Sequence, residues 1–402
     1  MFLIKNTLIF LQILLLFIVF IKVSKSSSAN LSNNNVEIKY IPNGNYKNKN
    51  FSFTKLTPIK YMTDEEKNRL KKELKDIVEI SARTGSTEFY FYNQLESDEK
   101  YLYDIIKSES SKTLPELTIE IEVSNVDDPT AYRSGILKKL EKIFTILAFE
   151  NPELWWIGNF LYSCDIDSSK ENTLVVFLVM IPDLNYTDEE VSAKKEEIKN
   201  KNNEIEIEKV KIMTKINKLG LKTNYAILRY IHDYLITKNV YTLNNSLENI
   251  RNLYGGLVEG ICVCEGYAEA FQYLARQFGI NCTIARSATH EWNFVEMGGK
   301  WYVMDVTYDD PVSMKDTYSS GDNRNLLLDY FLTGTEHERS TDNLKYSEDE
   351  ERNLIYSAFG DDVIFTYPDI EQGDYIPSEE EQNELALINI TLTGNVINIY
   401  LL

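Results

Sequence analysis

The stretch GICVCEGYAEAFQYLARQFG, residues 260–279, constrains this chain more than any other, because it sets a cysteine where a glycine-bounded loop becomes an amphipathic helix. Tyr267, Phe271, Leu274 and Phe278 recur at three- and four-residue spacing and line one face, and Gly279 sits where a left-handed cap ends such a helix. Cys264 therefore falls in or just before the first turn. Unpaired backbone N–H groups and the positive end of the helix dipole gather there, so the sequence predicts a thiol biased toward thiolate and an N–H group able to face an oxyanion.

The segment that follows reads THEWNFVEM, then Gly298-Gly299, then KWYVMDVTYDDP, an alternation of apolar and aromatic residues about a two-residue turn. It predicts antiparallel strands over 290–297 and 300–307. With Met297 opposite Lys300, Trp292 falls opposite Asp305 and His290 opposite Thr307. His290 and Asp305 then project from one sheet face as diagonal neighbours, roughly 7 to 8 Å apart at the backbone. A nucleophile, a base and an orienting carboxylate are thus present as Cys264, His290 and Asp305. A cysteine at a helix start is by itself most simply a small buried apolar residue. The histidine and aspartate on one hairpin face reverse that weighting, because a site is judged by joint roles.

CEGYAEAF, HEWNFV and WYVMDVTYDDP together resemble the three sequence blocks of the transglutaminase-like superfamily, a branch of the papain-like cysteine fold. Cys264, His290 and Asp305 match that superfamily's Cys, His and Asp, while Gly266, Tyr267, Trp292, Asn293 and Trp301 match the surrounding pattern. ENPELWW (150–156) and YAILRYIHDYLITKNVY (225–241) resemble the lead-in of microbial members, so the likeness covers about residues 110–345. It departs from the pattern at Glu291, where a small residue is usual, at Tyr308, which replaces a tryptophan, and at Cys262, where no thiol is expected. The resemblance implies an α+β fold with a papain-like core, its cysteine at a helix N-terminus packed on an antiparallel sheet. It implies Cys264, His290 and Asp305 as catalytic residues, with Trp292 and Tyr267 as candidate substrate contacts. The activity implied is acyl transfer through a thioester on peptide or protein amides, released by water (peptidase or deamidase) or by an amine (cross-linking). Two other readings stand beside it: a non-catalytic adaptor or wall-associated binding protein that keeps the fold, similar to cytokinesis-related relatives, and a glycan-releasing amidase, whose zinc-binding cysteine pairs are absent here.

The chain of 402 residues, 43% hydrophobic and 12% aromatic, suffices for a substantial core. Its net charge of −20 disfavours nucleic acid or an anionic membrane as partner and suits solubility, while the resemblance implies a protein or peptide substrate. No cofactor or metal is expected; Asp309 and Asp310 fall short of the roughly six to eight oxygens that calcium takes.

Residues 1–29 stand apart, with Lys5 ahead of an uncharged apolar run from Leu8 to Ile21, then Lys22, Lys25 and small residues. They read as a secretory signal, or as a signal anchor if retained, which is the one route to a membrane. A secreted, extracellular protein is therefore expected. Four cysteines, Cys164, Cys262, Cys264 and Cys282, are too few for a disulfide scaffold, though a Cys262–Cys282 bridge or a strained Cys262–Cys264 link is conceivable. Asn30, Asn50, Asn185, Asn244, Asn281 and Asn389 head glycosylation sequons, meaningful only in a eukaryotic secretory route.

The rest divides into a flexible segment (30–62), an α+β N-terminal region (63–220), the catalytic core (221–345) and a C-terminal extension (346–402). Thr63 and Glu66 form a capping-box pattern ahead of a helix to about Ala82. TEFYFY, LTIEIEV and TLVVFLVMI read as strands about a helix near Ile136–Phe149, and residues 187–218 as a long solvated helix. A helix over 224–238 buries Ile227, Leu228, Ile231 and Leu235; His232 beside them reads as structural, and His337 has no evident partner. ALINITLTGNVINIYLL at the end reads as a β-hairpin.

Overall fold

The computed structural model describes residues 37–40, 90–110, 116–124, 128–157, 161–167, 173–180, 188–310, 326–340, 342–356 and 365–394. The signal-like segment, the helix expected at 63–82 and the last eight residues lie outside them. Helices and antiparallel sheets are both present, an α+β fold. One sheet has the order β1 (Glu37–Tyr40), β2 (Glu116–Ser124), β4 (Thr173–Met180), β3 (Leu161–Asp167), antiparallel throughout. With it come α1 (Ser97–Ser110) and α2 (Pro129–Glu150). The helix expected at 187–218 is α3 (Asp188–Leu219) and that at 224–238 is α4 (Asn224–Lys238). Thr223 caps α4 through the Ala226 N–H.

A two-residue parallel pair, β5 (Val240–Tyr241) and β6 (Ile261–Cys262), leads into α5 (Cys264–Gln277). Beside α5 stands the second sheet, four antiparallel strands in the order β10 (Phe331–Thr333), β9 (Lys300–Met304), β8 (Glu291–Met297), β7 (Cys282–Arg286). The hairpin closes as its sequence predicts: Met297 faces Lys300, and Gly298 and Gly299 take φ of 62° and 79°, a backbone that favours glycine. The predicted face of α5 is buried at Tyr267, Phe271 and Leu274, and only partly at Phe278. Each fully buried side chain of this size contributes about 1.5–3 kcal/mol. Gly279 caps the helix at φ 70°. Polar ties fix α5 at both flanks: Asn293 on β8 donates to the Ala268 carbonyl at 3.0 Å, and Gln272 donates to the Phe149 carbonyl of α2 at 2.9 Å.

Three expectations are corrected. The strand expected to run to residue 307 ends at Met304, because Asp305 Oδ1 accepts the N–H groups of Thr307 and Tyr308, both at 3.1 Å, and turns the chain. The described part of TEFYFY is a turn and a short 3₁₀ helix (Tyr92–Gln94), since Glu150 accepts the Phe91 and Tyr92 N–H groups at 2.5 and 3.1 Å and leaves them nothing to give a ladder. The C-terminal hairpin is replaced, over its described part, by α6 (Glu379–Gly394). Ser378 and Glu381 form a reciprocal capping box there, at 2.7 and 3.3 Å.

The extension beyond residue 345 is built into the core. Phe91 contacts the rings of Phe149, Phe365 and Tyr367. Gln94 pairs with the Thr366 backbone in both directions, donating to its carbonyl at 2.8 Å and accepting its N–H at 2.9 Å. Glu384 on α6 accepts from the Lys222 N–H, the Thr223 N–H and the Thr223 hydroxyl, each at 2.9 Å, at the start of α4.

Candidate active site

Cys264 is the first residue of α5, as its sequence predicts, with Val263 at the N-cap supplying no side-chain acceptor. What brings the helix start into place is contact between glycines. A π-helical turn at Gly255–Glu259 packs so closely on α5 that a Cβ on Gly256 would meet the Gly266 carbonyl oxygen at 2.1 Å. A Cβ on Gly266 would in turn meet Cys262 Cβ at 2.5 Å. The Gly266 of the motif is therefore required by sterics.

His290 Nε2 lies 2.6 Å from Asp305 Oδ2, so the two residues that the hairpin sets side by side do pair. Arg352 Nη1 donates to the same oxygen. Burial acts to raise the Asp305 carboxyl, but the cationic charge of His290 and of Arg352 outweighs it and holds the group well below the usual carboxylate range. A carboxylate can only accept, so Nε2 carries a proton toward Asp305, and Nδ1 is the ring nitrogen left to exchange a proton with another group. Trp292 stacks on the imidazole at 5.5 Å and Tyr308 meets it edge-on at 4.7 Å. Arg352, 5% exposed, is itself caged by the rings of Trp292, Tyr308, Tyr330 and Tyr346, with centroids 4.4 to 5.6 Å away. Trp292 and Tyr267 are each 1% exposed, and the Tyr267 hydroxyl donates to Asp310 at 2.7 Å. Their burial fits positioning of the site better than contact with a substrate.

The third member is not joined to the other two. Cys264 Sγ donates to Glu265 Oε2 at 3.1 Å, and no hydrogen bond links it to His290. Cys264 is 6% exposed, and burial, then the charge and hydrogen bond of Glu265, push the thiol well up. The expected bias toward thiolate is thus reversed in this geometry. The Glu291 backbone N–H, beside His290, acts the other way on the sulfur and marks how near β8 comes to it. The Glu291 side chain is pushed up to about 7, by burial first, with Arg286 opposing and Glu265 adding to the rise.

Cys262, Cys264 and Cys282 are all free thiols, which excludes both conceivable disulfides among them in this structure. Cys262 is fully buried and donates to Asn239 Oδ1 at 3.4 Å. His232 is buried as a structural residue, bridging Asp233 at 2.8 Å and Asp309 at 3.0 Å. His337 does have a partner, Asp374, at 2.8 Å. Among the described residues no group of His, Cys, Asp and Glu is arranged to hold a metal ion, and no helix is long and apolar enough to cross a membrane.

Sequence reasoning missed Arg352 and Glu265. Arg352 lies in a short 3₁₀ turn (Glu350–Arg352) with no periodicity around it, 47 residues from Asp305. Glu265 was legible only as an acid in the first turn of a helix.

No family model matches the chain, and no curated protein matches it. Among solved structures it is similar to a crystal structure of a TGase, with 10% identity and a TM-score of 0.23 over 41% of this chain and 49% of that one. The matched region spans about half the length of that structure.

Proposed function

We propose that this chain is a cysteine-dependent acyl-transfer enzyme with a transglutaminase-like core, acting on peptide or protein amides. The observation that carries the reading is the His290–Asp305 pair at 2.6 Å, locked by Arg352, beside a cysteine that opens a helix. In the reaction His290 Nδ1 takes the Cys264 proton and the sulfur attacks the amide carbon. The uncapped first turn of α5 supplies N–H groups for the oxyanion, and His290 returns the proton to the departing amine. Water or a second amine then opens the thioester, which decides between hydrolysis and cross-linking. Residues 1–29 act in this reading as a secretory signal or, if retained, as an anchor, with a protein or peptide substrate outside the cell.

One observation favours a second reading. The Cys264 thiol is bonded to Glu265 and not to His290, as suits a fold kept for binding alone.

The test is mass spectrometry of a glutamine- and lysine-containing protein incubated in reductant with a small primary amine, comparing the chain with its Cys264→Ala variant. Cys264-dependent amine incorporation supports transamidation and Cys264-dependent cleavage supports a peptidase. Identical spectra from the two proteins transfer the weight to the binding module.

A further inference from the structure

Glu265 divides its carboxylate between two partners. Oε2 accepts the Cys264 thiol at 3.1 Å, and Oε1 accepts Arg251 Nη1 at 2.7 Å. A carboxylate has no proton to give, so this arrangement keeps the hydrogen on sulfur. Arg251 sits at the surface with its side chain 53% exposed, while the Glu265 side chain is 15% exposed. Glu265 can therefore turn from the sulfur toward Arg251 and solvent without leaving a buried charge unpaired. The sulfur would keep the Glu291 N–H aimed at it and lose the acceptor that competes with His290.

We propose that Glu265 is the resting-state partner of the Cys264 thiol, and that it must release the sulfur before His290 can take the thiol proton. The proposal rests on the acyl-transfer reading above. The proton moves from Sγ to His290 Nδ1, and Glu265 stays a carboxylate on Arg251 throughout. The other charged and titratable groups that act on the sulfur or on Glu265 are Glu269 one turn along α5, Glu291 on β8, Arg286 at the end of β7, Tyr241 on β5 and Cys262 on β6. Burial first, and Cys264 next, push the Tyr241 phenol up to about 12, so it stays neutral beside the thiol. Of these groups Glu265 is the one hydrogen-bonded to the sulfur through its side chain. The simpler role for an acid at this position is to complement the positive end of α5. That role predicts a change in helix stability and none in the thiol.

Alkylation by iodoacetamide separates the two without any acyl substrate. The full chain, Glu265→Gln and Glu265→Asp are treated from pH 6 to 10, and the labelling rates of the Cys264, Cys262 and Cys282 peptides are followed by mass spectrometry. At pH 7.5 Cys264 in Glu265→Gln is expected to label on the order of tenfold faster than in the parent, with its rate rising at lower pH. Glu265→Asp, which withdraws the carboxylate by one methylene, falls between. Cys262 and Cys282, fully buried and 2% exposed, stay slow in all three. An unchanged or slower Cys264 overturns the proposal, and so does a gain shared by Cys262 and Cys282, which would report loosening of the fold. A chain that transfers no acyl group to any substrate but shows the expected labelling defeats the functional reading and leaves Glu265's hold on the thiol standing.

Discussion

His290 and Arg352 share one oxygen of Asp305. A single buried carboxylate thereby orients the imidazole and neutralises a guanidinium that four aromatic rings enclose. Its other oxygen is taken by the Thr307 and Tyr308 N–H groups. The carboxylate that serves the candidate base thus also ends strand β9.

Replacing Arg352 by Met should be severe, because it leaves Asp305 buried without its fixed cation. Removing one partner of such a pair costs about 3–5 kcal/mol. Urea denaturation measures this, and in a double-mutant cycle Asp305→Asn should add less to Arg352→Met than it costs alone. A loss under about 1 kcal/mol would mean that the ring cage holds the site without the ion pair.

Stability should fall as pH rises from about 4.5 to 7. Glu291 is pushed up to about 7, mainly by burial, so the folded chain holds its proton more tightly than the unfolded chain does. Its contribution is complete below the ordinary glutamate range and is lost as pH passes the folded value, on the order of 3 kcal/mol at most. Asp305 acts in the opposite sense, losing its contribution only in stronger acid. Thermal melts at pH 5 and pH 8 should differ for the parent and differ less for Glu291→Gln.

Gly256→Ala should separate the π-helical turn from the start of α5, since its Cβ would strike the Gly266 carbonyl. The contact is backbone against backbone and has no flexible side chain to yield, so a loss of about 3 kcal/mol is expected. Near-normal stability would show that the turn and the helix can part. Gly220→Ala is the contrasting variant, its Cβ meeting nothing within 4 Å though its φ of 76° is strained.

Glu384→Ala should lower the melting temperature by removing an acceptor of three hydrogen bonds at the start of α4, a capping loss of about 1 kcal/mol. Iodoacetamide labelling of Cys264 should be unaltered. An unchanged melting temperature would show that water satisfies these groups equally well.

The elements around the candidate site were legible where one physical signal dominated. Tyr267, Phe271 and Leu274 are buried by α5, and the two-residue length of the Gly298-Gly299 turn fixed the register of β8 and β9. Legibility failed where a side chain captured backbone groups. Asp305 took the N–H groups that would have extended β9, and Glu150 took those of Phe91 and Tyr92. At the C-terminus, alternation in ALINITLTG suggested a strand, while the Ser378–Glu381 capping box was the signal that the chain followed. The pairing of His290 with Asp305 was readable from the hairpin register. The state of the thiol was not, since it depends on the rotamer of Glu265 and on burial that no spacing encodes.

The pairing of Gln94 with Thr366 has a consequence for how the chain is made. The partners are 272 residues apart, and Phe91 meets Phe365 and Tyr367 in the same place. This aromatic cluster cannot close until residue 366 has left the ribosome. Until then Phe91 and Phe149 lack the rings that cover them, so the nascent chain presents unsatisfied apolar surface while the 272 residues that separate the partners are made, and is exposed to chaperones and to aggregation for that interval.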